Sequence, residues 1–245
     1  MTGPDIESEK AKNTQADHQT PSGLLFYGDP HGKWQPLIDS VMEKRPYAVV
    51  ILGDCGLDKP LRHKLSLIWH MVPQWRWIIG NHDVDSVTEY EFLVESYPEG
   101  DLGGSCAHLD GYVVAGLSGI YSSRVWYPKL GGGQDAPPKF KTRHDMIRQT
   151  ARADRFKGGV PRSSRATIFP EDHETLRTFR ADILVTHEAP SADPHGFVAI
   201  DELAHDMQVQ LIVHGHHHRS YEGQTVNGIP VRGLGSAEPW LWTAP

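Results

Sequence analysis

The sequence predicts an α/β layered domain, and three observations lead there. Short apolar runs rich in β-branched and aromatic residues recur along the chain, as expected of strands buried on both faces. Stretches of helical character lie between them, and strand alternating with helix implies a layered α/β arrangement. Polar residues able to do chemistry gather at the carboxyl ends of the runs, where open α/β sheets place their ligand sites.

Taken in order, residues 1–22 contain almost no large apolar side chains and are expected to form a disordered tail, leaving 23–245 as the folded domain. The run 24–27 ends at Gly28-Asp29, and 48–52 ends at Gly53-Asp54. The run 75–79 ends at Gly80-Asn81-His82-Asp83, 183–186 ends at His187, and 211–213 ends at His214-Gly215-His216. Helices are expected over 34–43, 60–71, 86–96, 171–180 and 199–207, with strands 112–117 and 229–234 available for a second sheet. The C-terminal Pro239-Trp240-Leu241-Trp242 reads as an apolar cap on the same chain, with a seat for a neighbouring subunit as the alternative.

One segment breaks the pattern. Residues 124–165 hold eleven Lys or Arg against three Asp, a local charge of +8 in a chain otherwise at −15. It is rich in Gly and Pro, with one helix expected over 139–155. Two readings stand: a solvated surface insertion, or an electropositive rim for a phosphorylated substrate or nucleic acid. Trp126, Tyr127, Phe140 and Phe156 within it would either stack on a base or pack a local core.

Composition narrows the class. The chain has 245 residues, so it forms one large domain or one domain with an insertion, given about 100 to 200 residues per domain. A chain this long buries roughly 70 to 75% of its unfolded surface and needs no disulfide framework. Its two cysteines, Cys55 and Cys106, fit small buried side chains in a reducing compartment. No apolar run approaches the ~18 residues of a membrane span and no signal-like segment opens the chain, so a cytoplasmic protein without a membrane partner is expected. The net charge of −7 argues against non-specific coating of nucleic acid. The unusual count is histidine, with 15 copies.

The strand-end clusters Asp29-Pro30-His31, Gly53-Asp54, Gly80-Asn81-His82-Asp83, Thr186-His187 and Gly215-His216-His217-His218 combine carboxylate, carboxamide and imidazole without thiolate. Such a donor set suits Mn, Fe or Zn in a catalytic setting. Alternation along the histidine run would aim His216 and His218 inward and His217 away. Gly28, Gly53, Gly80 and Gly215 precede the candidate ligands, which lets the chain approach a metal closely. Each cluster alone has a bland reading as a turn, an N-cap or a core histidine; their joint occurrence, each directly after an apolar strand, favours a site.

This ordered series, spanning 29–218, resembles the calcineurin-like metallophosphoesterase superfamily. The resemblance implies a two-sheet β-sandwich flanked by helices, with a dinuclear metal centre at the strand ends. It implies that Asp29, His31 and His218 hold one metal, that Asn81, His187 and His216 hold the other, and that Asp54 bridges them. His82 would be the catalytic histidine, oriented by Asp83. Two divalent transition metals are implied, manganese first among Mn, Fe and Zn, with hydrolysis of a phosphate ester by a metal-bridging hydroxide.

The pattern departs from the phosphoprotein phosphatase branch, where an Asp-Arg pair follows the bridging carboxylate. Here Leu57 and Asp58 occupy those places, and a carboxylate does not replace a phosphate-gripping arginine. Arg62 and Arg124 are candidates to take over that grip. Asp58 and Thr186-His187-Glu188-Ala189-Pro190 instead resemble phosphodiesterase-like branches. The substrate therefore stays open among phosphorylated small molecules and nucleotides, with a phosphodiesterase or nuclease, or a catalytically silent scaffold, as alternatives.

Overall fold

A computed structural model of the chain describes residues 20–128 and 137–243. The tail expected over 1–22 lies almost wholly outside them.

Two sheets form the centre. The first contains β1 (Leu24–Gly28), β2 (Ala48–Ile51), β3 (Gln74–Trp77) and β10 (Glu238–Trp242), in the order β10-β1-β2-β3. The second contains β4 (Cys106–Leu109), β5 (Tyr112–Leu117), β6 (Ile183–Thr186), β7 (Leu211–His214), β8 (Tyr221–Gln224) and β9 (Pro230–Gly233), in the order β4-β5-β6-β7-β9-β8. Strands β1, β2 and β3 are parallel, as are β5, β6, β7 and β9. Antiparallel strands β10, β4 and β8 form three of the four edges, and parallel β3 forms the fourth. The carboxyl ends of the parallel strands in each sheet thus share one edge.

The period-2 alternation of side chains sorts the core into layers. Leu24, Phe26, Ala48 and Val50 meet Val114, Ile183, Val185 and Val213 between the sheets. Leu25, Tyr27, Val49 and Ile51 face outward onto Leu37 and Val41 of α1 (Gln35–Lys44). They share that layer with Leu61 of α2 (Leu61–Lys64) and Tyr90 of α3 (Val87–Tyr90). On the far side, Ala115, Leu184 and Ile212 pack on Leu176 of α5 (Pro170–Leu176) and on Ile200 and Leu203 of α6 (Val198–Asp206). The result is a two-sheet sandwich with helices on both outer faces. A continuous apolar run such as Leu24-Leu25-Phe26-Tyr27 is what a strand buried on both faces requires.

Four expected helices are shorter or broken, among them 171–180, where α5 ends at Leu176. Residues 60–71 keep helical spacing of buried Leu61, Leu65 and Ile68, but the chain must turn back to β3. It becomes α2 and a 3-10 turn over Trp69–Met71. Residues 86–96 form α3, capped by Ser86, and then a wider π turn over Glu91–Glu95. Of 139–155, only α4 (Arg143–Gln149) is α-helical, started by a Thr142/Asp145 capping box. The C-terminal tryptophans form β10: Trp240 stacks on Phe26 and Trp242 packs on Tyr112, an intramolecular cap. Cys55 is buried and Cys106 half-buried, both as free thiols.

Candidate metal centre

The edge where the parallel strands end brings the strand-end clusters together from both sheets. Asp29, Asp54 and Asn81 follow β1, β2 and β3, while His187 and His216 follow β6 and β7. The backbone there is strained. Asp29, His31, Asp54, His216 and His218 all adopt left-handed conformations, with φ of 42°, 42°, 54°, 70° and 53°, half of the ten non-glycine residues that do so among the described residues. Such conformations cost free energy and persist where the surrounding fold over-determines them. Two glycines make the approach possible: a Cβ on Gly80 would fall 2.3 Å from Asp54 Oδ1, and one on Gly215 would fall 2.5 Å from Asp29 Oδ2.

Two groups of donors form, and they share Asp54. Asp29, His31, Asp54 and His218 have ligand atoms within 4.8 Å of one another, as do Asp54, His187 and His216. The same oxygen, Asp54 Oδ2, lies 3.7 Å from His31 Nε2 and 3.4 Å from His187 Nε2. Its other oxygen accepts the His82 backbone N–H at 2.8 Å, which fixes the carboxylate plane. Asn81 Oδ1 lies 3.1 Å from His187 Nε2, and His31 Nε2 lies 3.0 Å from His218 Nε2. Asp29 accepts the His216 backbone N–H on both oxygens at 3.0 Å, which ties β1 to β7 across the sandwich.

The donor chemistry fits a pair of divalent cations. His187 donates from Nδ1 to the Leu52 carbonyl at 2.7 Å, which leaves the Nε2 lone pair facing Asp54 Oδ2 and Asn81 Oδ1. Acceptors turned toward acceptors repel unless a positive charge lies among them. Without metal, a proton on His187 takes that part. Burial opposes charge on this ring, but the Asp54 and Asp29 carboxylates outweigh it and hold its pKa up at about 10. Burial pushes Asp29 up to about 7 against the pull of His187. Asp54 goes the other way: burial opposes its charge, yet the hydrogen bond and charge of His187 hold it well below the usual carboxylate range. Burial and the neighbouring His187 lower His216 to about 3, keeping it a neutral donor.

His82 stands at the rim with its side chain about half exposed. Here the structure corrects the sequence reading. The ring donates from Nδ1 to Asp85 Oδ2 at 2.7 Å, and Asp83 does not touch it. The buried Asp83 carboxylate instead accepts the backbone N–H groups of Asp54, Cys55 and Gly80, each at 2.8 Å. The 3-10 turn over His82–Val84 turns the residue after His82 inward and brings the third residue, Asp85, back beside the ring. Asp83 thereby splints the loops after β2 and β3. Its burial lifts its pKa to about 6, opposed by those N–H groups. The hydrogen bond that His82 donates to Asp85 raises its pKa above that of an ordinary histidine.

Other expectations resolve as follows. His217 joins neither of the donor groups that share Asp54: its ring lies 4.6 Å from that of His216, and Nε2 is 3.7 Å from Glu188 Oε1. The alternate placement of His216 and His218 comes from loop geometry and not from a strand, because β7 ends at His214 and the chain beyond it is left-handed at both residues. Asp85 has no signal in the sequence beyond its closeness to the His82 cluster, and Glu188 stands there only as part of the Thr186–Pro190 run. Arg62 lies over the rings of Trp69 and Tyr97, at 5.2 and 5.5 Å. Asp58 pairs with Lys64 at 2.8 Å in an exposed position.

Four basic side chains of the segment find partners outside it. Arg143 bonds Glu171 and Asp172, Lys157 pairs with Glu91 and Glu95, Arg162 donates to the Val84 carbonyl, and Arg165 donates to Tyr90 Oη at 3.0 Å. Phe140 and Trp126 pack on a small core of Val125, Met146, Val160 and Phe169, and Phe156 packs on Tyr90. Tyr127 is 48% exposed but lies edge-on to Phe197.

Comparison with known proteins agrees with this arrangement. Residues 23–220 match the family model described as calcineurin-like phosphoesterase. A Haemophilus influenzae protein described only as uncharacterized is 32% identical over 227 residues, covering 88% of this chain and 94% of its own. The crystal structure of TT1561 from Thermus thermophilus superposes with a TM-score of 0.52 at 12% identity, covering 89% of this chain and 91% of that one, and shares the fold. Among the described residues, no helix is long and apolar enough to cross a membrane. With its family match running from β1 to β7 and through every strand-end cluster, the chain belongs to the calcineurin-like phosphoesterases.

Proposed function

We propose that this chain is a metal-dependent hydrolase of phosphate esters on small molecules. The observation that carries the reading is the shared carboxylate: one oxygen of Asp54 faces both donor groups. Asp29, His31 and His218 would hold one divalent metal, Asn81, His187 and His216 the other, and Asp54 both. Two such ions supply a nucleophilic water at neutral pH and offset the charge of the phosphoryl oxygens. Manganese, iron and zinc all suit the oxygen and imidazole donors.

The protein's own part follows from the geometry. His82 is exposed toward the rim and free of both donor groups, so its ring can deliver a proton to the leaving oxygen. Asp85 on Nδ1 leaves Nε2 as the nitrogen that faces outward, and it favours the protonated form that an acid needs. Asp83 keeps the two loops in register from beneath. The His82 N–H on Asp54 couples the position of the acid to that of the shared carboxylate.

A small substrate is favoured over nucleic acid because several basic side chains of 124–165 are bound to acids and carbonyls of the protein itself. The test is a panel of phosphomonoesters, phosphodiesters and dinucleotides assayed with added manganese. Turnover that is abolished by chelation and restored by metal supports the reading. No turnover of any of them by chain carrying two metals would leave a silent scaffold.

A further inference from the structure

Glu188 and His217 belong to neither of the donor groups that share Asp54, yet they face each other beside them. Glu188 follows His187 directly and is buried. Its carboxylate is fixed by two backbone donors, Tyr121 N–H to Oε2 at 3.3 Å and Ala189 N–H to Oε1 at 3.0 Å. His217 lies between His216 and His218 with its side chain 22% exposed. Its Nε2 is buried and has no hydrogen-bond partner among the described residues.

The 3.7 Å between His217 Nε2 and Glu188 Oε1 is too long for a hydrogen bond. It is close to the separation of two donors on one ion, since ligands about 2.0 to 2.1 Å from a tetrahedral zinc stand roughly 3.3 Å apart. His216 completes the group, because one ligand atom from each of Glu188, His216 and His217 falls within 4.8 Å of the others. A carboxylate locked by amides, an unmatched imidazole nitrogen and a second imidazole converge on one point.

We propose that Glu188 and His217, beside His216, form a third divalent-cation position that takes zinc in preference to manganese. Two imidazoles and one carboxylate suit zinc, whereas manganese favours oxygen-rich sites. With one carboxylate instead of the two of Asp29 and Asp54, this position fills last. His216 borders both the third position and the donor group of Asp54 and His187, so zinc held there competes for that ring and slows hydrolysis at high zinc. The inference takes from the preceding reading only that His216 serves the adjoining pair.

The test counts metal. Chain stripped by chelation is equilibrated with rising zinc alone, freed of excess, and analysed by mass spectrometry. Wild type is expected to hold about three zinc ions, and Glu188→Gln and His217→Ala about two each, while manganese reaches about two in all of them. Glu188→Gln keeps the shape of the side chain, and zinc-edge anomalous diffraction from wild-type crystals gives a readout without any variant, with a peak expected between Glu188 and His217. Saturation of wild type at two zinc ions, three ions in the variants, or a water there without anomalous signal overturns the third position and leaves the paired site standing. Saturation below two would overturn both.

Discussion

The strand-end cluster and the segment 124–165 both concentrate ionisable side chains, and they treat charge in opposite ways. At the strand ends, buried Asp29 and Asp54 sit among imidazole and amide donors, with no lysine or arginine bound to them among the described residues. In 124–165, basic side chains find acids and carbonyls supplied by distant sequence, Arg143 reaching Glu171 and Asp172, and Lys157 reaching Glu91 and Glu95. The difference teaches that formal charge along a segment says little about the potential it presents. What counts is whether folding leaves the charge a partner.

The sharpest way to break this contrast is to remove the shared carboxylate. Asp54→Asn should cut turnover on the order of 10³-fold or more and lower bound metal from about two ions toward one or none, measured by elemental analysis. Full metal content in that variant would contradict a site built on a shared donor. The rim comes next. His82→Ala should lower turnover by about 10² to 10⁴-fold with metal content retained, and Asp85→Asn by about 10 to 100-fold. Because Asp85 is what raises His82, its loss should also move the alkaline limb of the pH–rate profile to lower pH. An unmoved limb would remove Asp85 from the acid's support.

A subtler probe is stability without metal. The pKa of His187 is raised to about 10 in the folded state, so folding is favoured by a proton that the unfolded chain, with a pKa of about 6.5, gives up. That stability is fully present below the unfolded value and is lost as pH rises toward the folded one. Chelated protein should therefore melt more than about 2 °C lower at pH 9 than at pH 7, and metal-loaded protein should show little change, by calorimetry. The smallest expected effect concerns the basic segment. KM for a phosphomonoester should change less than about twofold between about 50 and 200 mM salt, whereas several phosphate contacts from that segment would impose a change on the order of 10³-fold.

Much of the architecture was readable because its physical cause is local. Apolar runs closed by Gly28 and Gly53 mark β1 and β2, since a strand buried on both faces has to be apolar throughout, whereas β3 at the edge of its sheet alternates half-buried Gln74 and Arg76 with buried Trp75 and Trp77. The edge strands β4 and β8 escaped notice because half-buried edge strands carry mixed sequences such as Cys106-Ala107-His108-Leu109. Asp83 looked like the partner of His82 because it is adjacent in sequence, and a single 3-10 turn gave that place to Asp85.

That donor-type residues such as Asp29, Asp54 and His187 stand just past apolar strands is legible along the chain, because hydrophobic periodicity and short-range chain geometry act within a few residues. Tertiary packing alone makes one oxygen of Asp54 face both donor groups, turns His217 toward Glu188, and gives Arg143 and Lys157 of the basic segment their acids Glu171, Asp172, Glu91 and Glu95. Those outcomes depend on distances between segments far apart in the chain, which are set when the two sheets pack and which no local pattern encodes.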